Sequence, residues 1–288
     1  MVAHILDGKK IADSMLRSVK REVATMKRKG VIPKLVVIQV GNDPASTIYV
    51  NRKHKTCIEL GMKSEVRRFP SSVSYGRILG EIRELNEDKT VHGILVQLPL
   101  PEHLNHKKVL ETVAISKDVD GLHPYNHGRN LLAKSGMRPA TPTGIITLLE
   151  STGAKLEGKN AVVVGRSNIV GKPVAVMLLN KGCTVTICHS KTTDLGRFTK
   201  DADIIVCAVG KPNLIKGPMV KKGAIVIDVG ISRLKDGKLS GDVDFKEVSK
   251  RASWITPVPG GVGPMTIASL MCNTIAACRD IEWPQKSG

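Results

Sequence analysis

The chain has 288 residues, 41% hydrophobic and 24% charged, which suits one large or two ordinary globular domains. No apolar run reaches the roughly 18 residues of a membrane helix, and the N-terminal MVAHILDGKKIADSML lacks the apolar core of a signal peptide, so we expect a protein without either. The formal net charge is +18, but three Phe, three Tyr and two Trp are too few for a base-stacking surface, and no nucleic-acid partner is expected.

Short apolar runs alternate with helical patterns along the chain, which indicates a parallel α/β architecture. The runs are nearly continuous in apolar residues, as is typical of strands covered by helices on both faces. Strands are predicted at 34–40, 92–98, 160–165, 183–189, 202–209 and 224–230. Helices are predicted at 44–61, 74–88, 144–153 and 264–280, and one more follows the glycine-rich segment 165–173.

Two proline-rich segments are interpreted as breaks in regular structure. PATPT at 139–143 is placed near a domain boundary, and TPVPGGVGP at 256–264 follows the last predicted strand. We predict one domain over 1–140, completed by the C-terminal helix 265–288, and a second over 141–264. The fold class is α/β, an αβα domain followed by a Rossmann-type doubly wound domain, with a cleft between them.

The helix predicted at 44–61 carries Tyr49 and Lys53 on one face, because they are four residues apart. An aromatic ring beside an amine is suited to stack on a flat ligand and to transfer protons. Taken alone, an ordinary surface contact between the two side chains is the simpler interpretation.

Polar residues stand near the end of the strand predicted at 92–98. Gln97 lies where open α/β sheets bind ligands, although a structurally satisfied amide is an equal alternative. Asp120 follows in KDVDG (117–121), where an Asx turn also explains an aspartate. His123 and His127 have no third ligand at suitable spacing, so no metal site is expected.

The segment GRSNIVGKP (165–173) joins a predicted strand to a helix. A strand, a glycine turn and a helix in this order bind the pyrophosphate of a dinucleotide at the helix N-terminus. Ser167 stands at the second glycine of the usual fingerprint and the spacing from Gly165 to Gly171 is wider, so an unrelated structural turn remains an alternative.

The end of the next strand bears on the choice of cofactor. The ribose-binding acid of NAD enzymes is replaced by His189, Ser190 and Lys191. Together with Arg166, Ser190 and Lys191 are suited to bind a 2′-phosphate, which predicts NADP; an ordinary basic turn is the alternative.

The net charge and the cysteines say little about the function of the protein. Most of the positive charge is assigned to a solvated surface, and the basic residues near the motifs to attraction of anionic small molecules. None of the six cysteines forms a CxxC pair, which favours buried reduced thiols in a cytoplasmic protein.

Six motifs in one order resemble the bifunctional methylenetetrahydrofolate dehydrogenase/methenyltetrahydrofolate cyclohydrolase family. They are YVNRK (49–53), VQLPLP (96–101), KDVDG (117–121), PATPTG (139–144), GRSNIVGKP (165–173) and PGGVGPMT (259–266). The resemblance implies a homodimeric enzyme acting on tetrahydrofolate derivatives, polyglutamylated forms included, with NADP as cofactor. It also implies a catalytic folate-binding domain and an NADP-binding Rossmann domain.

The resemblance implies roles for individual residues as well. Lys53 is catalytic, Gln97 is its partner, Tyr49 stacks on the folate and Asp120 binds the pterin. Substrate is also expected at Gly260, Gly261 and Pro264. The cofactor is expected at Gly165, Arg166, Ser167, Ile169, Gly171, Ser190 and Ile231. The alternatives are a monofunctional relative, another NADP-dependent dehydrogenase of shikimate type, or a non-catalytic dinucleotide sensor.

Overall fold

The structure is a computed structural model that describes residues 2–234 and 237–284. The chain forms two compact units. Within the described residues, the six-stranded unit comprises 2–13, 130–134 and 141–269, and the three-stranded unit comprises 14–129, 135–140 and 270–284. Each unit takes its name from its main sheet.

Strands and helices alternate through most of the chain. The strands are β1 (His4–Ile5), β2 (Lys34–Val40), β3 (Lys63–Phe69), β4 (Gly93–Val96), β5 (Asn160–Val164), β6 (Thr184–Cys188), β7 (Ile204–Cys207), β8 (Ile225–Asp228), β9 (Ser232–Arg233), β10 (Leu239–Ser240) and β11 (Trp254–Ile255). The helices are α1 (Gly8–Arg28), α2 (Pro44–Glu59), α3 (Tyr75–Glu87), α4 (His106–Thr112), α5 (Pro124–Leu131), α6 (Ala140–Ser151), α7 (Gly171–Asn180), α8 (Leu195–Thr199), α9 (Phe245–Val248) and α10 (Val262–Glu282).

The three-stranded unit contains a parallel sheet of order β3-β2-β4. Its central strand is apolar on both faces, and side chains such as Val36 and Ile38 pack against Ile78 and Ile82 of α3. Strand β3, KSEVRRF, was not predicted because most of its residues are polar, and an edge strand tolerates such residues on its exposed side. The central position of β2 places its C-terminal end beside that of β4.

The six-stranded unit contains a parallel sheet of order β1-β11-β8-β7-β5-β6. From β5 the chain continues to β6 on one side and then crosses to β7 on the other, so the C-terminal end of β5 lies at the topological switch point. Buried Val and Ile side chains from these strands form the core, together with Ala side chains from the segments next to them. The predicted α/β class with a doubly wound domain is confirmed.

The break in regular structure that was predicted at 139–143 is shorter than expected. Helix α6 begins at Ala140, so that Pro142 falls within its first turn. The N–H groups of a first turn have no intrahelical partner, and proline there costs no hydrogen bond. For the same reason the second proline-rich segment ends early, since α10 begins at Val262 and contains Pro264.

Helix α1 was absent from the predicted elements. Its sequence is dominated by Lys and Arg, yet Ala12, Val19, Val23 and Met26 are buried along one face. Among the described residues, no helix combines the length and the hydropathy needed to cross a membrane. The six cysteines are free, and all except Cys272 are buried.

Candidate functional site

In the three-stranded unit, the structure brings Lys53 and Gln97 together. The Lys53 ammonium donates to Gln97 Oε1 at 3.0 Å. Gln97 follows β4, where its backbone N–H donates to the carbonyl of Ile38 at 2.9 Å. Its side-chain Nε2 donates to the carbonyl of Leu98 at 2.6 Å, which turns the amide oxygen toward the lysine. The lysine and its acceptor are therefore held by two different elements of the fold, α2 and the end of β4.

The environment of Lys53 controls its protonation. Only 8% of the residue is exposed. Burial lowers the pKa of the Lys53 amine, because a low dielectric disfavours the charged form, and the negative charge of Asp120 acts in the opposite direction. Burial raises the pKa of the Asp120 carboxyl group, and the positive charge of Lys53 opposes this increase. The amine and the carboxylate form an electrostatically coupled pair.

Asp118 and Asp120 are used differently. The Asp118 carboxylate accepts from the N–H groups of Leu122 at 3.1 Å and His123 at 2.8 Å, and from Asn126 Nδ2 at 2.8 Å. This is the turn-forming role expected of an Asx residue. We find no such hydrogen bond to the Asp120 carboxylate within the part of the chain that the structure describes, so this carboxylate has free acceptor capacity.

Lys117, the first residue of KDVDG, was not recognised from the sequence as an anchor. Its buried ammonium donates to the carbonyls of Leu85 at 3.0 Å, Asn86 at 2.7 Å and Asp88 at 2.7 Å. These carbonyls lie at the C-terminal end of α3, where helical partners are missing. Lys117 thereby fixes the segment that carries Asp120.

Tyr49 lies one turn before Lys53 on α2 and is partly exposed. Burial raises the pKa of its hydroxyl, an effect that the charge of Arg52 opposes. At ordinary pH the side chain is therefore neutral, and a partly exposed neutral ring is suited to stacking on a flat ligand.

In the six-stranded unit, the glycine turn follows β5 at the switch point. Gly165 has φ +126°, and a Cβ placed on it would lie 2.4 Å from the carbonyl oxygen of Ala208. A Cβ on Gly171 would lie 2.2 Å from the carbonyl oxygen of Gly165. Both positions require glycine because the strand end, the turn and the start of α7 approach one another closely.

Ser167, at the second glycine of the usual fingerprint, has a local role. Its hydroxyl accepts from the N–H groups of Val170 at 3.2 Å and Gly171 at 3.3 Å, which satisfies donors at the start of α7. Arg166 and Ile169 are exposed beside it. The structure shows no hydrogen bond or ion pair of Arg166 with any described residue, so its guanidinium is available to an anion.

The end of β6 is shaped by a compact turn. The N–H of His189 donates to Thr192 Oγ1 at 2.9 Å, and the N–H of Lys191 donates to His189 Nδ1 at 3.2 Å. Ser190 and Lys191 are consequently exposed. Because Val164 pairs with Cys188, this turn begins beside Gly165, whose N–H donates to the carbonyl of Cys188 at 2.8 Å.

The remaining predicted residues lie at other strand ends of this unit. Ile231 follows β8 and is 41% exposed. Gly260 has φ +108°, and Gly261 is buried, so that a Cβ on Gly261 would lie 2.7 Å from the carbonyl oxygen of Pro257 and 2.7 Å from Thr256 Cβ. Gly261 is therefore required by packing within its own unit. Pro264 is in the first turn of α10 and is partly exposed.

Two buried carboxylates near the switch point were missed by the sequence reasoning. Asp228 ends β8 and Asp242 follows β10, and they are 4% and 0% exposed. The sequence offered one signal for Asp228, because an aspartate ends the apolar run IVID. A carboxylate buried at the end of a strand needs hydrogen-bond donors and therefore indicates an organised polar site. Within residues 2–234 and 237–284, no group of three His, Cys, Asp or Glu is arranged to hold a metal ion.

Comparison with known proteins agrees with this geometry. The sequence profile of the tetrahydrofolate dehydrogenase/cyclohydrolase catalytic domain matches residues 6–120, and that of the family's NAD(P)-binding domain matches residues 139–282. The bifunctional protein FolD of Moorella thermoacetica is 55% identical over 279 residues, covering 97% of this chain and all of the relative.

Solved structures give the same result. The bifunctional FolD dehydrogenase/cyclohydrolase of Campylobacter jejuni superposes with a TM-score of 0.95 at 50% identity, covering 96% of this chain and 99% of its own. The Trypanosoma brucei enzyme, solved with NADP cofactor and an inhibitor, has a TM-score of 0.94 at 37% identity and covers 97% and 98%. The motif-based prediction is confirmed, and the chain belongs to the tetrahydrofolate dehydrogenase/cyclohydrolase family.

Proposed function

We propose that this protein oxidises 5,10-methylenetetrahydrofolate to 5,10-methenyltetrahydrofolate with NADP, and then hydrolyses the product to 10-formyltetrahydrofolate. The observation that carries the proposal is the buried Lys53 amine hydrogen-bonded to Gln97 beside Asp120, in a chain whose family performs both reactions. The buried amine favours an enzyme over a non-catalytic sensor, because a dinucleotide sensor has no use for a desolvated amine in its other unit. The match of both domains to the folate family favours a folate enzyme over a shikimate-type dehydrogenase.

The dehydrogenase step depends mainly on position. The methenyl product is a cation stabilised by its two flanking nitrogens, so no strong acid or base is needed. NADP, when bound, accepts the hydride from the methylene carbon. Tyr49 stacks on the flat pterin and Asp120 accepts hydrogen bonds from pterin N–H groups, which together hold that carbon in place.

The cyclohydrolase step requires proton transfer. Water adds to the methenyl carbon, the ring opens, and one proton is released overall. Lys53 takes the proton from the attacking water when its amine is neutral, and burial lowers the pKa of this amine. Gln97 Oε1 accepts a hydrogen bond from either form of the amine, so it keeps Lys53 in place throughout.

The cofactor site fits NADP. Close backbone packing at Gly165 and Gly171 leads the chain from β5 directly into the N-terminus of α7, which is where a doubly wound fold binds a pyrophosphate. Arg166, Ser190 and Lys191 are exposed around the ends of β5 and β6 and are suited to a 2′-phosphate. We assign NADP binding to 141–264, and folate binding to 1–140 together with 265–288.

One assay tests the function. Purified protein is mixed with methylenetetrahydrofolate and NADP, and absorbance follows both NADPH formation and the methenyl chromophore. The chromophore should appear and then decay, and NADP should be used in preference to NAD. Methenyl that accumulates without decay would identify a monofunctional dehydrogenase, and failure to reduce NADP would contradict the whole proposal.

We also propose a homodimer. Leu131, Leu132 and Leu179 are 59%, 64% and 58% exposed. Asn180 Nδ2 donates to the carbonyl of Asn130 at 2.9 Å, so the two segments that carry these leucines are in contact within the six-stranded unit. Exposed apolar groups in one patch are typical of protein interfaces. Sedimentation equilibrium should give twice the chain mass, and Leu132→Glu with Leu179→Glu should reduce it to the monomer.

Polyglutamylated folates are the proposed natural substrates, because a net charge of +18 attracts polyanions. The Michaelis constant should fall as glutamates are added, and added salt should reduce the difference. A cytoplasmic location is proposed from the free, mostly buried thiols, and cell fractionation tests it.

A further inference from the structure

Asp228 organises the loop that follows β10. Its Oδ1 accepts from the N–H groups of Gly230 at 3.0 Å and Asp242 at 2.9 Å, and its Oδ2 accepts from the N–H of Val243 at 2.9 Å. A Cβ on Gly241 would lie 1.9 Å from Asp228 Oδ2, so the loop passes directly over the carboxylate. Burial raises the pKa of Asp228 to about 6, and the backbone N–H donors oppose that effect.

Asp242 continues this arrangement toward the switch point. Its Oδ2 accepts from the N–H groups of Val209 at 2.7 Å and Gly210 at 3.0 Å. These two residues follow β7, and a Cβ on Gly230 would lie 2.2 Å from the Asp242 carboxyl carbon. The ends of β8 and β7 are thus joined through two carboxylates and five backbone N–H groups.

The loop held by Asp242 borders the glycine turn. Ala208 precedes Val209, and a Cβ on Gly165 would lie 2.4 Å from the Ala208 carbonyl oxygen and 3.5 Å from a Val209 methyl carbon. The ends of β5 and β7 form the crevice in which doubly wound folds bind nucleotides. A displacement of residues 208–210 therefore changes the wall against which the glycine turn is packed.

Asp242 is a costly way to hold a loop. It is fully buried, and the only side-chain donor to its carboxylate among the described residues is the buried Cys207 thiol, a weak donor that leaves Oδ1 without a hydrogen bond of ordinary geometry. A buried carboxylate with a poorly satisfied oxygen is destabilising, and a neutral acceptor would avoid the charge. The general need for a stable core does not explain this residue, whereas the fixed position of two adjacent N–H groups does.

We propose that Asp242, seated on Asp228, is a positioning residue for the cofactor, which sets the 208–210 loop against the glycine turn so that the crevice accepts NADP. The proposal rests on NADP binding at this crevice, as proposed above. It predicts a selective defect, because methenyl hydrolysis needs no NADP, whereas a general structural role would affect both activities alike.

The test compares Asp242→Ala, Asp242→Asn and the control Asp244→Ala. Asp244 lies two residues further on, accepts from the N–H of Glu247 at 3.2 Å and pairs with Lys216, so its loss perturbs the neighbourhood without touching the 208–210 loop. Each variant is assayed for the Michaelis constant of NADP, for NADP affinity by calorimetry, and for hydrolysis of methenyltetrahydrofolate in the absence of NADP.

In Asp242→Ala the Michaelis and dissociation constants for NADP should rise roughly tenfold or more, since hydrogen bonds to a charged acceptor are lost. NADP-free hydrolysis should stay within about twofold. Asp242→Asn should remain near the wild type because one amide oxygen can accept both N–H groups. Asp244→Ala should leave NADP binding unchanged. If Asp242→Ala does not fold, Asp242→Leu, which has nearly the shape of aspartate but no acceptor, is judged by the same criteria.

Unchanged NADP affinity in Asp242→Ala, or an equal loss of both activities, would overturn the positioning role. The same holds if Asp242→Asn is as defective as Asp242→Ala, because the geometry of acceptance would then not be what matters. Failure of the proposed function itself is distinguishable, since the wild type would then neither bind NADP nor hydrolyse the methenyl compound.

Discussion

Replacement of Lys53 by methionine should separate the two reactions. Methionine retains most of the apolar stem but removes the amine that donates to Gln97 Oε1. Hydride transfer needs orientation, whereas ring opening also needs a proton acceptor. We therefore expect cyclohydrolase activity to fall far more than dehydrogenase activity in Lys53→Met.

The magnitudes allow a clear decision. General base catalysis contributes about 10²–10⁴-fold, or roughly 2.7–5.4 kcal/mol of barrier. Leaving the Gln97 oxygen unpaired costs about 1–3 kcal/mol if it is buried. Gln97 is partly exposed, so water reduces this cost, and removal of a buried amine offsets it further. The change in unfolding free energy should therefore be near the low end, about 1 kcal/mol.

The assay is single-turnover formation and decay of the methenyl chromophore, together with urea unfolding. Lys55→Met is the matched control, because Lys55 is on the same helix with 77% of its side chain exposed. Gln97→Ala should slow hydrolysis on its own and should add little to Lys53→Met, since both act through one amine. Undiminished methenyl decay in Lys53→Met would exclude this lysine as the base.

Three further results are expected. Arg166→Ala should raise the Michaelis constant for NADP by about tenfold and leave that for NAD nearly unchanged; equal effects on both cofactors would exclude a 2′-phosphate contact. Asp120→Asn removes a negative charge that raises the pKa of Lys53, so the increase of cyclohydrolase kcat with pH should occur at lower pH. An increase at the same pH as in the wild type would contradict the electrostatic coupling of Asp120 and Lys53. Gly165→Ala combines φ +126° with a 2.4 Å approach to Ala208 and should lose about 1–3 kcal/mol of stability in urea unfolding, with NADP affinity reduced; wild-type stability would refute the need for glycine.

Agreement between sequence and structure is highest for buried strands and for the glycine turn. The runs at 34–40 and 160–165 became β2 and β5 with nearly the predicted bounds, because parallel strands covered on both faces must be apolar at successive positions. Agreement is lowest at polar or proline-containing elements. Strand β3 and helix α1 are mostly polar, and their few buried positions are recognisable only once their packing partners are known.

The amino-acid sequence by itself determined the fold class, the family and the residue types of both sites. Hydrophobic periodicity, glycine turns and the order of motifs are properties of the sequence itself, so they can be recognised before any tertiary contact is known. The tertiary structure alone decided which polar groups meet. Lys53 and Gln97 are 44 residues apart, and Asp242 reaches Val209 across 33 residues. Such pairs form because sheet order brings distant strand ends to one edge, where a buried charge must find the donors or acceptors that the fold supplies.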